Sequence, residues 1–204
     1  MEILLQDAIL RRQTVRRFHT TALTASQRDA LIDAASRAPS AHGRQPWKFI
    51  DIAAGAVRQQ LCVAMGDTWQ ADMARDGYDA TQIAQRIQVS TTRITNAPLL
   101  IMPCVDMSKL DHYPDQLRQD AEYLMAVQSI GCAIQLMLLT AVQLGFDGGW
   151  MCAPLFCQAT VRSVLRLPET LIPQAFIPFG YMAQPSVRRP KRSGSELLIH
   201  VSEC

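Results

Sequence analysis

The sequence predicts a single α+β domain spanning residues 1–204. Short runs of strand length and strand composition, at 47–52, 99–105 and 174–181, are interspersed with longer segments of helical period. No internal repeat and no low-complexity linker divides the chain. Its 204 residues, 49% of them hydrophobic and 19% charged, suffice to enclose one sizeable core.

Ile3, Leu5, Ala8 and Ile9 are spaced for a first amphipathic helix, which runs into a cationic and polar cluster at 11–16. Phe18 returns the chain to the core. Thr24 and Gln27 stand at capping-box spacing, and Leu31, Ile32 and Ala35 line one face of a second helix that must stop before Pro39. Residues 47–52, aromatic to β-branched, read as a strand, and 56–65 as a helix with Val57, Leu61 and Ala64 inward. From 66 to 95 the chain turns polar, with Ile83, Ile87 and Ile94 recurring among charged and amide residues. That pattern predicts long exposed helices, serving either as a plain solvated pair or as a cover over a site.

Asn96-Ala97-Pro98 ends this region, and the apolar run 99–105 predicts a central strand. Pro103 cannot donate to a ladder, so pairing is expected mainly over 99–102. Residues 117–144 hold no proline and are apolar nearly all round after Tyr123, as in a long helix buried in a core or a subunit interface. Gly145 is placed to cap it. Asp147-Gly148-Gly149-Trp150-Met151 then begins an extended segment where missing side chains permit close backbone approach. Val161, Val164 and Leu165 indicate another helix; 174–181 reads as a strand that Pro178 demotes in part to an edge or bulge, and 197–201 as a last strand-like run.

A formal net charge of +2 excludes the strongly basic surface of a nucleic-acid binder. No apolar run reaches the roughly 18–20 residues of a membrane span, and the first residues lack the apolar core of a signal peptide, so a cytoplasmic location is expected. The six cysteines, at 62, 104, 132, 152, 157 and 204, form no Cys-x-x-Cys pair, and no histidine stands at metal-ligand spacing, so no metal site is expected. Cys62, Cys104 and Cys132 read as buried small hydrophobes, and Cys152 as a packed thiol without an adjacent base.

Three stretches carry functional information. In Ala38-Pro39-Ser40-Ala41-His42-Gly43-Arg44-Gln45-Pro46-Trp47-Lys48-Phe49 the prolines fix two φ angles and bias the residues before them, presenting a polar loop in one preset shape between a helix and a strand. A preset loop binds small molecules at low entropic cost. Arg11-Arg12-Gln13-Thr14-Val15-Arg16-Arg17-Phe18 concentrates cations, as does Arg188-Arg189-Pro190-Lys191-Arg192 near the end.

The first of these cationic stretches resembles the R-R-S-x-R-x-F opening of the nitroreductase family, and the Pro39 loop resembles its P-S-x-x-N-x-Q-P-W signature. The likeness extends through Asn96-Ala97-Pro98, the long helix ending at Gly145 and Gly180-Tyr181. It implies a three-layer α/β/α sandwich with a central, mostly antiparallel sheet. It also implies a homodimer with the long helix at the dimer interface and two FMN sites between the chains, each taking the Arg12 cluster from one chain and the Pro39-Ser40 loop from the other.

On that resemblance Arg12 and Thr14, with Arg189 and Lys191 of the tail, would hold the FMN phosphate, unless the tail is simply a solvated charge run, and Gln13 would also contact the cofactor. Arg16 would stabilise negative charge at the flavin, supported by Arg93, for which a plain surface position is the alternative. Pro39, Ser40, Ala41 and Gly43 would clamp the ring from the second chain. Met151, Cys152 and Ala153 would pass beside its central ring and offer backbone N–H groups. His42 and Arg44 would face the substrate, His42 being equally readable as a surface residue. Gly43 stands where the family often has asparagine, and Ser193 where proline is usual. No side chain is expected to act as catalytic acid or base.

The activity implied is electron transfer from NAD(P)H through FMN to an electron-poor acceptor such as a nitroaromatic or quinone, by ping-pong turnover. Two other readings stay open within the same fold: an enzyme of deazaflavin-cofactor biosynthesis or a flavin-fragmenting enzyme, and a flavin-binding protein without turnover.

Overall fold

The computed structural model describes residues 4–186, 188 and 190–201. The chain runs through α1 (Leu5–Arg11), α2 (Ala25–Ser36), β1 (Trp47–Asp51), α3 (Ala56–Arg75), α4 (Ala80–Thr95) and β2 (Leu99–Asp106). It continues with α5 (Gln116–Gln143), β3 (Asp147–Gly148), α6 (Gln158–Leu165), β4 (Leu171–Pro173), β5 (Ile177–Gly180) and α7 (Gly194–Leu197). The strands form one antiparallel sheet in the order β1-β2-β5-β3, with β4 also paired to β2.

β2 shows why the fold has three layers. All eight of its residues are buried, and successive side chains of a strand point to opposite faces. Leu99, Ile101 and Val105 join a cluster containing Leu31 and Ala35 of α2 and Ile130, Ile134 and Leu138 of α5. Leu100, Met102 and Cys104 join a second cluster with Leu61 and Met65 of α3, Ile94 of α4 and Val161 of α6. Helices therefore cover both sheet faces, giving the α/β/α sandwich of an α+β protein.

Local signals set the helix ends. Thr24 and Gln27 form the expected capping box, and Asp79 with Gln82 forms another at the start of α4. At the end of α5, Gly145 takes φ +84°, its N–H donates to the Val142 carbonyl and that of Phe146 to the Ala141 carbonyl. This closes the helix with a Schellman turn. Arg58, buried in the first turns of α3, donates to the carbonyls of Ile52, Ile94 and Ala97, and so ties the ends of β1, α4 and the entry to β2 to one guanidinium.

Several expectations are corrected. Pairing of β2 does not fade at Pro103; it continues through Val105, opposite Trp47. Pro103 accepts from the Gln174 N–H and lies where the neighbouring line changes register. From Cys104 to Ile101 is three steps on β2, whereas their partners Pro173 and Ile177 are four apart. That extra residue is a β-bulge, and a bulge is where a missing donor costs least. Pro178 does not mark an edge: β5 lies between β2 and β3, and the Pro178 carbonyl accepts from the Gly149 N–H.

α3 runs to Arg75, well past residue 65, because the polar stretch continues the helix with its outer face solvated. Residues 197–201 form no strand among the described residues; α7 and an exposed apolar end stand there. Cys62 and Cys104 are buried as expected, but Cys132 is exposed, because it lies with Leu117, Leu124 and Gln128 on the outward stripe of α5. Cys152 is exposed as well, at the start of a short 3₁₀ turn that turns Pro154 inward instead.

Candidate functional site

The segment after α1 is laid against the sheet by backbone hydrogen bonds. The Val15 N–H donates to Gly148, that of His19 to Tyr181, and that of Ala183 to Arg17, while Phe18 bridges to Met182. Val15 is fully buried, and in an extended segment its neighbours Thr14 and Arg16 then face away from the core. Gly149 makes the fit possible: a Cβ there would stand 2.5 Å from the Val15 carbonyl oxygen. Gly148 is just as confined, with Leu138 and Phe179 within 2.8 Å of where its Cβ would be.

On the outer side of this segment lies a cleft of about 620 Å³, lined by Ile9 and Leu10 of α1, by Arg12, Gln13, Thr14 and Arg16, and by Ser186, Arg188 and Lys191 of the tail. The expected residues Arg12, Gln13, Thr14, Arg16 and Lys191 thus come together. Arg189 lies outside the described residues. Sequence reading missed Arg188, whose guanidinium donates to the Leu10 and Arg11 carbonyls at 3.0 and 2.9 Å. It satisfies the last carbonyls of α1 and pins the tail over the cleft; its only signal was the basic run 188–192. Gln13 donates to the Met182 sulfur.

A second cleft of about 710 Å³ adjoins the first at Arg16 and Ser186, and includes Arg17, Arg93, Gln88 and Thr92. Arg93 is half-buried, and its guanidinium is held below its ordinary range by burial first and then by the positive charges of Arg16 and Arg17.

The Pro39 loop lines neither cleft in a single chain. It is nonetheless preset: the Gln45 N–H donates to Ser40 Oγ at 3.0 Å, Gln45 Nε2 to the Ser36 carbonyl, and the Ala41 N–H to Ser129 Oγ of α5. His42, Gly43 and Gln45 have φ of +54°, +67° and +49°. Gly43 therefore occupies a left-handed position, where glycine and asparagine are the residues best tolerated; the departure from asparagine leaves the backbone shape intact. His42 is exposed. Arg44 pairs with Asp111 at 2.7 Å and braces the loop against the segment after β2.

Met151 exchanges both backbone hydrogen bonds with Phe176. The N–H groups of Cys152 and Ala153 have no partner among the described residues and stay available to a ligand, so of the three expected donors the structure leaves two.

These donors fit a flavin mononucleotide. Arg12, Lys191 and the Thr14 hydroxyl offer charge-assisted bonds to a phosphate, and Ile9 and Leu10 give an apolar wall.

Comparison with known proteins agrees with this geometry. A family model described as the nitroreductase family matches residues 9–181. A Methanothermobacter thermautotrophicus protein, provisionally named an NADH dehydrogenase/NAD(P)H nitroreductase, is 25% identical over 180 residues, covering 87% of this chain and 77% of its own. A BluB-like flavoprotein from Clostridium difficile superposes with a TM-score of 0.82 at 20% identity, over 98% of this chain and all of the other. The NADPH:FMN oxidoreductase of Vibrio harveyi, solved with NAD+, gives a TM-score of 0.72 at 17% identity, over 96% and 76%. These two structural likenesses concern the fold.

Proposed function

Because this chain belongs to the nitroreductase family, we propose that it is an NAD(P)H-dependent FMN oxidoreductase that passes electrons to an electron-poor acceptor, such as a nitroaromatic or quinone, as a cytoplasmic homodimer. The observation that carries this reading is the convergence of Arg12, Thr14, Arg16 and Lys191 in one cleft. When bound, FMN supplies a two-electron store between donor and acceptor.

The chain's own residues do the rest. Arg12, Lys191 and Thr14 hold the phosphate, with Gln13 beside them. Arg16 and Arg93 keep positive charge where reduction places negative charge, an effect strengthened in a site of low dielectric. The backbone N–H groups of Cys152 and Ala153 orient the ring. No side chain is assigned as acid or base, and water delivers the protons. Donor and acceptor share one cleft, so they take turns, which gives ping-pong kinetics.

The second chain supplies Pro39, Ser40, Ala41 and Gly43, with His42 and Arg44 toward the acceptor. Two features support a dimer: this loop is rigid yet apart from the cleft in one chain, and apolar side chains are left outward on α1 and α5, among them Leu10 and Leu124.

The test is an absorbance spectrum of the purified protein, followed by anaerobic titration with each nicotinamide. A yellow protein bleached by NADH or NADPH and reoxidised by a quinone over many cycles is expected. A colourless protein that neither takes up FMN nor consumes NAD(P)H in its presence overturns the reading.

A further inference from the structure

The second cleft has a cation, Arg17, that the flavin reading leaves without a task, beside Arg16 and Arg93, which in that reading face the flavin. One phosphate monoester is served by Arg12, Thr14 and Lys191 in the first cleft. Beyond Arg16 the groove widens into a comparable space of about 710 Å³ that contains Arg17 and Arg93 as well. Arg17 has only an amide partner, Gln184 Oε1 at 2.7 Å, and neither Arg16 nor Arg93 has a hydrogen-bond or ion-pair partner among the described residues. The five ion pairs found there lie elsewhere. Three guanidiniums that repel one another, with no carboxylate between them, raise the energy of the empty cleft, and an anion that enters relieves it. Thr92 spends its hydroxyl proton on the Gln88 carbonyl, and the Gln88 amide, which gives one proton to Thr92 Oγ1, keeps a second to offer as a neutral donor.

We propose that the cleft of Arg16, Arg17 and Arg93 is a phosphate subsite that receives the nicotinamide donor. This rests on the oxidoreductase reading above. The shape supports it: the two clefts share Arg16 and Ser186, so a phosphate-bearing donor held by Arg17 lies alongside a cofactor held by Arg12 and Lys191, with Arg16 and Arg93 between them. Either the bridging diphosphate or the 2′-phosphate of the donor has the required chemistry.

The experiment uses the FMN-loaded protein and its Arg17→Gln and Arg118→Gln variants, the latter altering an exposed arginine far from the groove. Calorimetric titration with inorganic pyrophosphate is expected to show binding to the parent and to R118Q, weakened about 10-fold or more in R17Q, in line with the loss of one charge-assisted bond. In steady state, pyrophosphate competes with the donor, and R17Q raises the donor KM by a similar factor while the KM for an uncharged quinone and the FMN content stay unchanged. An increase for NADPH alone assigns the 2′-phosphate; an equal increase for NADH and NADPH assigns the diphosphate. Pyrophosphate that fails to bind, or binds R17Q as well as the parent, overturns the subsite. Binding that is lost in R17Q but does not compete with the donor overturns the assignment of the ligand. A protein that binds pyrophosphate through Arg17 and oxidises neither nicotinamide overturns the oxidoreductase reading instead, and with it the donor.

Discussion

Ser129, midway along α5, accepts the backbone N–H of Ala41 at 3.2 Å while donating its own proton to the Met125 carbonyl at 2.7 Å. The long helix thus pegs the Pro39 loop through one nearly buried hydroxyl. Replacing Ser129 by alanine leaves the Ala41 N–H unmet and is expected to cost about 1 kcal/mol. The measurable sign is faster hydrogen exchange at Ala41 with little change in the helices. Unchanged exchange there would separate loop and helix.

Gly149→Ala puts a methyl group 2.5 Å from a backbone oxygen that cannot rotate aside. Stability should fall by about 1–3 kcal/mol, and the segment from Arg12 to Arg17 should shift, lowering FMN content in the purified protein. The same substitution at Gly43, which has open space but a φ of +67°, should strain only the loop and leave FMN content nearer to that of the parent.

Under the proposed function, Arg12→Gln would remove one charge-assisted contact to the FMN phosphate. FMN affinity should drop about 10- to 100-fold, corresponding to roughly 1.5–3 kcal/mol, and added salt should weaken binding less in the variant than in the parent. Fluorescence titration of the apoprotein reads both.

Arg58 is 2% exposed and serves carbonyls from three elements. Burial pushes its guanidinium below its ordinary range, and the charge of Asp51 only partly offsets this. Arg58→Leu strands several buried acceptors, and a loss of about 3 kcal/mol is expected, lowering Tm by roughly 6–12 °C. Lysine should recover only part of it, since one ammonium cannot span the same fork of carbonyls.

Burial raises the thiol of Cys104 to about 12 and that of Cys157 to about 11, from an ordinary 9.0. Both groups are neutral in the fold and ionise more readily once unfolded. The stability they add is complete below pH ~9 and is lost as pH rises through about 11 and about 12. Urea midpoints should therefore decline from pH 9 upward. At pH 8 the exposed Cys152 should react with a thiol reagent within minutes, while Cys104 and Cys157 react only on unfolding.

Legibility in the sequence followed the range of the interactions concerned. Thr24 with Gln27, the span of α5 and the Gly145 cap were readable because each depends on residues within one or two turns. Pro103 and Pro178 were misjudged because what matters is which side of the strand the missing N–H faces, and this is decided by partners far along the chain, such as Phe49 and Gln174 for Pro103 and Leu100 and Gly149 for Pro178. Cys132 sits on an apolar helix, and composition does not reveal which stripe faces outward. In the site, Arg12, Thr14 and Arg16 stood out because their stretch resembles the opening motif of the nitroreductase family. Arg188 and Arg17 did not, since their tasks appear only when the tail crosses α1 and when α4 comes up beside Arg16.

The bulge between β4 and β5 fixes the length of the connection between them. Excising any one of the three residues that separate these strands would rotate Phe179 to the wrong side of the sheet, pull the β5 edge from Gly149, and release the stretch that carries Arg12 and Arg16. The connection is constrained in identity as well, because Ala175 and Phe176 are buried and Phe176 holds Met151 by both of its backbone hydrogen bonds.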